Sequence, residues 1–244
     1  MRPVMEGSFW EHLEELRWRL IKAMAALAGA TMGAFFLSRR LVSLMLATGP
    51  PHLQALAPTE AFVVHLKAAL VAGIVIASPV VYYQFWRFVS PGLHGRERRP
   101  VLAATALSVL LFAGGVAFAW SVMLRPAMEL FRSFEGGRII GAWSLSSYVG
   151  FLGRFVLAFG LAFQLPIVIL LLTGLGIVSP DTMSRYRRHL VVGLLVASAL
   201  LTPPDPMTQL ALTAPLYLLF ELSLLLSRLI ARRKGREGLE STPE

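Results

Sequence analysis

Apolar residues in this chain gather in six long runs, roughly 20–37, 68–86, 101–124, 148–178, 190–201 and 210–230. Short stretches rich in charge, Pro and Gly separate them. A helix crossing hydrocarbon satisfies its backbone internally and needs about 20 apolar residues. The pattern therefore predicts an all-α, polytopic membrane protein with six transmembrane helices. The fifth run is anomalous: its 12 residues rise only about 18 Å, against a hydrocarbon thickness of about 30 Å. Arg185, Arg187 and Arg188 bound it on one side, and Thr202-Pro203-Pro204-Asp205-Pro206 on the other. The fourth run is long and carries Pro166, which should bend or tilt it. Unequal helices packed together form a tall wall and a low wall, so a cup- or groove-shaped bundle is expected. Ahead of the first run, residues 8–19 predict a short interfacial helix. Ser8 and Glu11 stand at capping-box spacing there, while Phe9, Leu13, Leu16 and Leu20 share one face. The organisation expected is one transmembrane domain over 1–230 and a basic, disordered tail over 231–244.

Charge changes the picture by fixing orientation. The chain has 23 Lys and Arg against 14 Asp and Glu, a net charge of +9. In a soluble protein that excess points to nucleic acid, but 15% charged and 56% hydrophobic residues describe a bilayer protein rather than a soluble one. The basic residues sort by side. Arg2, Arg17, Arg19 and Lys22, the arginines at 87, 96, 98 and 99, those at 185, 187 and 188, and the cluster from Arg228 to Arg236 all fall on one face. Arg39, Arg40, Lys67, Arg125, Arg132 and Arg138 fall on the other. By the positive-inside rule both termini are cytoplasmic, with an even number of crossings; no nucleic-acid partner is expected. The first run is not a cleavable signal peptide, because Glu6, Glu11, Glu14 and Glu15 precede it where a signal would be basic.

The inventory of reactive groups is thin. With no Cys, disulfides, thiolate nucleophiles, Cys zinc sites and iron–sulfur centres are all excluded. His12, His52, His65, His94 and His189 lack the spacing of metal ligands on one helix face. No P-loop occurs, and no His lies well inside a run to serve an intramembrane serine protease. The chain reads as a non-enzyme without metal or cofactor.

A few polar residues stand out. The carboxylates of the N-terminal stretch pair most simply along their own helix, Glu14 with Arg17 and Glu15 with Arg19. Glu97, the one acid among the arginines of the loop between the second and third runs, most simply neutralises its neighbours. Topology offers an alternative, since Glu15 and Glu97 lie on the same cytoplasmic face beside apolar helix ends. Two partly desolvated carboxylates suit a dicationic partner, because Arg–carboxylate forks are charge-assisted and directional. Gln164 lies at depth in the fourth run, where a polar amide either bonds a neighbouring helix or meets a partner helix. Glu221, inside the sixth run, carries an insertion cost of about 2.5–3.5 kcal/mol unless paired or snorkelling. Ser38-Arg39-Arg40 looks like an export signal but follows a full span, and reads as an interfacial pair.

Together these residues resemble the twin-arginine protein translocase subunit TatC family over almost the whole chain, from about Phe9 to Arg228. His12-Leu13-Glu14-Glu15-Leu16-Arg17 is similar to the family's N-terminal motif. Phe88-Val89-Ser90-Pro91-Gly92-Leu93 with Glu97-Arg98-Arg99 is similar to its first cytoplasmic loop. Leu201-Thr202-Pro203-Pro204-Asp205 with Gln209, Pro215 and Phe220-Glu221 is similar to its last hairpin, with Pro203 and Asp205 in the outer turn. The resemblance implies a receptor and scaffold in the bacterial cytoplasmic (inner) membrane that binds twin-arginine signal peptides of folded proteins, with Glu15 and Glu97 as the binding acids and Arg17 and Phe88 beside them. It further implies assembly with TatA-type and TatB-type single-span proteins as a homo-oligomer within a larger complex, driven by the proton motive force. Gln164 stands where many members carry Glu, which puts proton carriage there in doubt. The rival reading is a small-solute secondary transporter, whose midplane polar residues would bind substrate; the thin polar inventory and the lack of an internal repeat oppose it.

Overall fold

The computed structural model describes residues 5–50, 53–89, 98–133, 135, 143–174, 177–201 and 206–240. Its elements in order are α1 (Met5–Phe36), α2 (Ser38–Leu46), β1 (Leu53–Gln54), α3 (Glu60–Val89) and α4 (Arg98–Phe118). A π-helical turn at Ala119–Met123 leads into α5 (Leu124–Ser133), followed by β2 (Trp143–Ser144), α6 (Leu145–Ala162) and α7 (Leu165–Gly174). The chain continues through α8 (Pro180–Arg185), α9 (Arg187–Leu201) and α10 (Pro206–Glu240). Apart from the two-residue parallel pair of β1 and β2, the described architecture is all-α. Among the described residues, four stretches are long and apolar enough to cross a membrane: Trp10–Phe36, Glu60–Val89, Val101–Ser133 and Leu145–Gly174. Large apolar side chains remain exposed on many helices, Phe36 at 85% and Leu110 at 70% among them, as expected of helices whose solvent is lipid. The protein is a multi-pass membrane protein.

Three boundaries differ from the sequence reading. The interfacial segment and the first span form one continuous α1, which begins at Met5. Ser8 is therefore inside the helix rather than at its cap. The apolar fifth run is extended by basic residues into a 15-residue α9, still only about 22 Å long. The last helix continues to Glu240 across the region expected to be disordered. Arg, Lys, Glu and Ala are strong helix formers, and they prolong a helix already nucleated upstream.

Proline explains two local features. The fourth run is interrupted at Phe163-Gln164. Pro166 has no N–H to give the carbonyl of Ala162, and its ring crowds that carbonyl; α6 stops there. In α3, Pro79 is tolerated inside the helix. It frees the carbonyl of Val75, and the Ser78 hydroxyl donates to that oxygen at 2.7 Å, a repair that a helix in lipid requires.

The chain divides into two compact units, Met1–Ala113 with Ala142–Gly153, and Gly114–Gly141 with Arg154–Glu244. In the first, α1 and α3 run antiparallel, with His12 against Phe88 and Phe35 against Phe62. Buried Ala69, Gly73 and Ala77 form a stripe of small residues on α3 that lets the backbones approach closely. Gly73 faces Thr31, whose Oγ1 is buried without a hydrogen-bond partner. A Cβ at position 73 would stand 2.7 Å from Thr31 Cα and 2.8 Å from its N. Farther along α3, Trp86 Nε1 donates to Ser108 Oγ of α4 at 2.8 Å.

In the second unit, Phe118, Phe155, Phe159 and Phe163 form an aromatic cluster. Ile169 of α7 packs with Phe220 and Leu224 of α10, and Met183, Leu190 and Tyr217 border them. The α9–α10 pair is joined by polar contacts: Gln209 Nε2 donates to the Leu195 carbonyl at 2.7 Å, and the Ser198 and Thr213 hydroxyls lie 3.1 Å apart. Such bonds are what hold helices together where lipid removes the hydrophobic drive.

The α1–α3 contact yields a stability prediction. Gly73→Ala forces backbone apart and should cost about 1–3 kcal/mol, read as a lower unfolding temperature in detergent. Gly33→Ala, with nothing within 4 Å of the new Cβ, and the near-isosteric Thr31→Val, which removes an unpaired hydroxyl, should leave that temperature unchanged or raise it.

Candidate functional site

The N-terminal part of α1 concentrates the candidate residues. Glu15 and Arg19 are one helical turn apart with the acid first, the favourable order for a pair along a helix. Arg19 Nε donates to Glu15 Oε1 at 3.0 Å, and Arg19 Nη2 closes on the same oxygen. The other oxygen, Oε2, faces His12 Nδ1 at 3.8 Å. His12 in turn stacks on Phe88 near the end of α3, ring centroids 4.4 Å apart and planes 17° from parallel. Glu15 and Phe88 are thus joined through one imidazole. The Arg19 side chain is only 14% exposed and Glu15 36%, so the fork is sheltered, and Arg19 leaves the second carboxylate oxygen to His12.

Arg17 does not join this group. Two residues along a helix is about 200° of rotation, and Arg17 pairs instead with Glu14 at 3.6 Å on an exposed face. Both local pairs read from spacing are therefore formed. Glu97 lies outside the described residues, as do Pro203 and Asp205. An apolar groove of about 520 Å³ runs along α1 and α3, bordered by Met24, Ala28, Met32, Phe62 and Leu66. Met24 is nine positions from Glu15, about half a turn around the helix, so this groove opens on the side of α1 away from the carboxylate.

Gln164 is buried, at 7% exposure, in the turn between α6 and α7. Its carbonyl accepts from Val168 N at 3.1 Å, the first bond of the resumed helix. Glu221 is paired. Arg187 Nη2 donates to its Oε2 at 2.9 Å and Tyr217 OH to its Oε1 at 2.7 Å. The arginines before the fifth run were read only as a topology signal, and the pairing of one of them with Glu221 is visible only once α9 is folded against α10.

A second polar group was missed altogether. Buried Glu60 opens α3, and its Oε1 accepts from Ser144 Oγ at 2.6 Å and Ser146 N at 2.5 Å. Its Oε2 accepts from Leu56 N at 2.5 Å. Lys67, two turns along α3, donates to Ser146 Oγ at 2.6 Å and to the Ser146 carbonyl at 3.1 Å. The carboxylate fastens the segment before α3 to the start of α6, next to the β1–β2 pair. An acid at a helix start is the only local sign of it, and its serine partners lie more than 80 residues away. Among the described residues no cluster of His, Asp and Glu is arranged to hold a metal.

The Glu221 pair makes a measurable contribution. Arg187→Ala should lower stability in detergent by about 1–3 kcal/mol, less than for a fully buried pair because the Arg187 side chain is 42% exposed. In a double-mutant cycle, Glu221→Gln should recover part of that loss.

Comparison with known proteins places the chain among relatives. The family model described as Sec-independent protein translocase protein (TatC) matches residues 11–215. A Sec-independent protein translocase protein TatC of Desulforapulum autotrophicum is 33% identical, covering 98% of this chain and 91% of its own. The TatCy protein of Bacillus subtilis is 34% identical, covering 96% and 94%. A crystal structure of the twin-arginine translocase receptor TatC superimposes with a TM-score of 0.81 at 34% identity, covering 89% of this chain and 98% of that one. The chain belongs to the TatC family of Sec-independent protein translocase proteins.

Proposed function

We propose that this translocase component is the receptor for paired-arginine signal peptides, that Glu15 accepts one of the two guanidinium groups, and that Glu97 in the loop after α3 accepts the other. One observation carries the reading: Glu15 sits in a sheltered acid–base group with Oε2 turned away from Arg19 and flanked by His12 at 3.8 Å. A carboxylate already adapted to a guanidinium on one oxygen has the geometry to take a second on the other. Phe88, stacked on His12, gives the apolar surface against which the alkyl stem of such an arginine can lie. Arg17 stands outside this group, paired with Glu14 on another face of α1. Lys in place of Arg in the signal is a poor ligand, because a point charge does not fork onto a carboxylate.

The same reading places the chain in a bacterial inner membrane as six crossings with both termini cytoplasmic, a single domain to residue 230, and α9 as the short fifth crossing. Single-span subunits of the TatA and TatB types are the expected partners in a larger assembly containing more than one copy of this chain. Gln164 and Glu221 supply polar groups at depth against which a partner helix can be oriented, and the Pro203–Asp205 turn lies on the outer side.

Two experiments test this. Photo-cross-linking of a twin-arginine peptide to membranes containing wild type, Glu15→Ala or Glu97→Ala should fall at least several-fold in each variant; undiminished cross-linking in both removes the assignment. Orientation is testable because the chain has no Cys. Single cysteines introduced at Ser241 and in the 91–97 loop should resist an impermeant thiol reagent added from outside, whereas one in the 202–205 turn should react with it.

A further inference from the structure

We infer that Arg19 is an internal stand-in for the incoming arginine, and that it sets both the affinity and the Arg-over-Lys selectivity of Glu15. This rests on the reading of Glu15 as a signal-binding acid. The observation behind it is that Glu15 Oε1 is already occupied. Arg19 reaches it through both Nε and Nη2, the donors a ligand arginine would use. Arg19 is also the more sheltered of the two side chains, 14% against 36% exposed, and is tethered one turn away on the same helix. Its effective concentration at the carboxylate is therefore far above that of any free peptide.

Four basic groups bear on the carboxylate or stand near it. Arg19 holds Oε1, and His12 lies 3.8 Å from Oε2. Arg87 of α3 adds its charge from farther off, and Arg17, about 200° around α1, is drawn aside by Glu14. A ligand thus meets a carboxylate whose stronger position is taken. It can settle on Oε2 and share the charge with Arg19, or displace Arg19 and take Oε1. Either route removes most of the gain that a lone cation would obtain. An ammonium offers no fork to match the one it must share with or replace, so Lys is rejected by competition as well as by geometry. A guanidinium exchanges like for like. Net affinity then comes from the remainder of the signal, its second arginine and its apolar stretch, so isolated basic residues of cytosolic proteins do not dwell at the site. This is specificity obtained by penalising the wrong ligand as well as favouring the right one.

The test uses the full chain in nanodiscs and fluorescent peptides carrying Arg-Arg or Lys-Lys ahead of the same apolar stretch, with binding read by anisotropy. Relative to wild type, Arg19→Gln should bind Arg-Arg about ten- to a hundred-fold tighter, the order of one charge-assisted hydrogen bond. It should bind Lys-Lys tighter still, so that the Arg/Lys ratio narrows. Arg19→Lys, which keeps the charge but loses the fork, should fall between; it also carries the test if Arg19→Gln does not fold. Unchanged or weaker Arg-Arg binding in both variants, with Glu15→Gln binding poorly, overturns the role of Arg19 and leaves Glu15 as the receptor acid. If Glu15→Gln binds as wild type, the reading of Glu15 itself is lost, and the role of Arg19 with it.

Discussion

Hydrocarbon offers no hydrogen bonds, and most of what is specific in this chain answers that constraint. A backbone carbonyl freed by Pro79 is taken by the neighbouring Ser78 hydroxyl. A carboxylate in the last helix is held from two directions by Arg187 and Tyr217. Where apolar faces meet there is little to drive them together, so the contact is made by closeness. The Ala69, Gly73 and Ala77 stripe brings α3 against α1, and hydroxyls and an amide join α9 to α10. Many large apolar side chains, such as Phe36 and Leu110, are instead free to face lipid.

That arrangement decides what the amino-acid sequence discloses. The apolar runs, an irregularity at Pro166, expected as a bend and found as a break, and the α1 pairs of Glu14 with Arg17 and Glu15 with Arg19 were all legible, because each depends on residues within one or two turns of each other. So was the family, through several separated motifs. Element ends were less legible. Ser8 and Glu11 have the right spacing for a cap, yet the helix passes straight through them, since upstream residues propagate it at little cost. Long-range partners were not legible at all. Nothing near Glu221 names Arg187, which is 34 residues away, and nothing near Glu60 names Ser144 or Ser146.

The site shows the same division. Spacing put Glu15 and Arg17 in one motif, but helical rotation sends them to different faces, Arg17 to Glu14 and Glu15 to Arg19. What the motif conceals is the contribution of α3. Phe88 comes from the far end of an antiparallel neighbour and reaches Glu15 only through the His12 ring. His12, which in the sequence only opens a motif, is the link between two elements. The short local pairs and the receptor reading are not rivals in this geometry, since a carboxylate has two oxygens and Arg19 forks onto only one of them.

The Glu60 latch has a consequence for biogenesis. Its donors at Ser144 and Ser146 are 84 and 86 residues downstream, so the carboxylate emerges from the ribosome long before they exist. Between the two events α3, α4 and α5 must be synthesised and inserted with the acid still hydrated. Closure of the latch is therefore a late step of membrane integration, and a nascent chain stalled anywhere before β2 carries this acid with its principal partners not yet made.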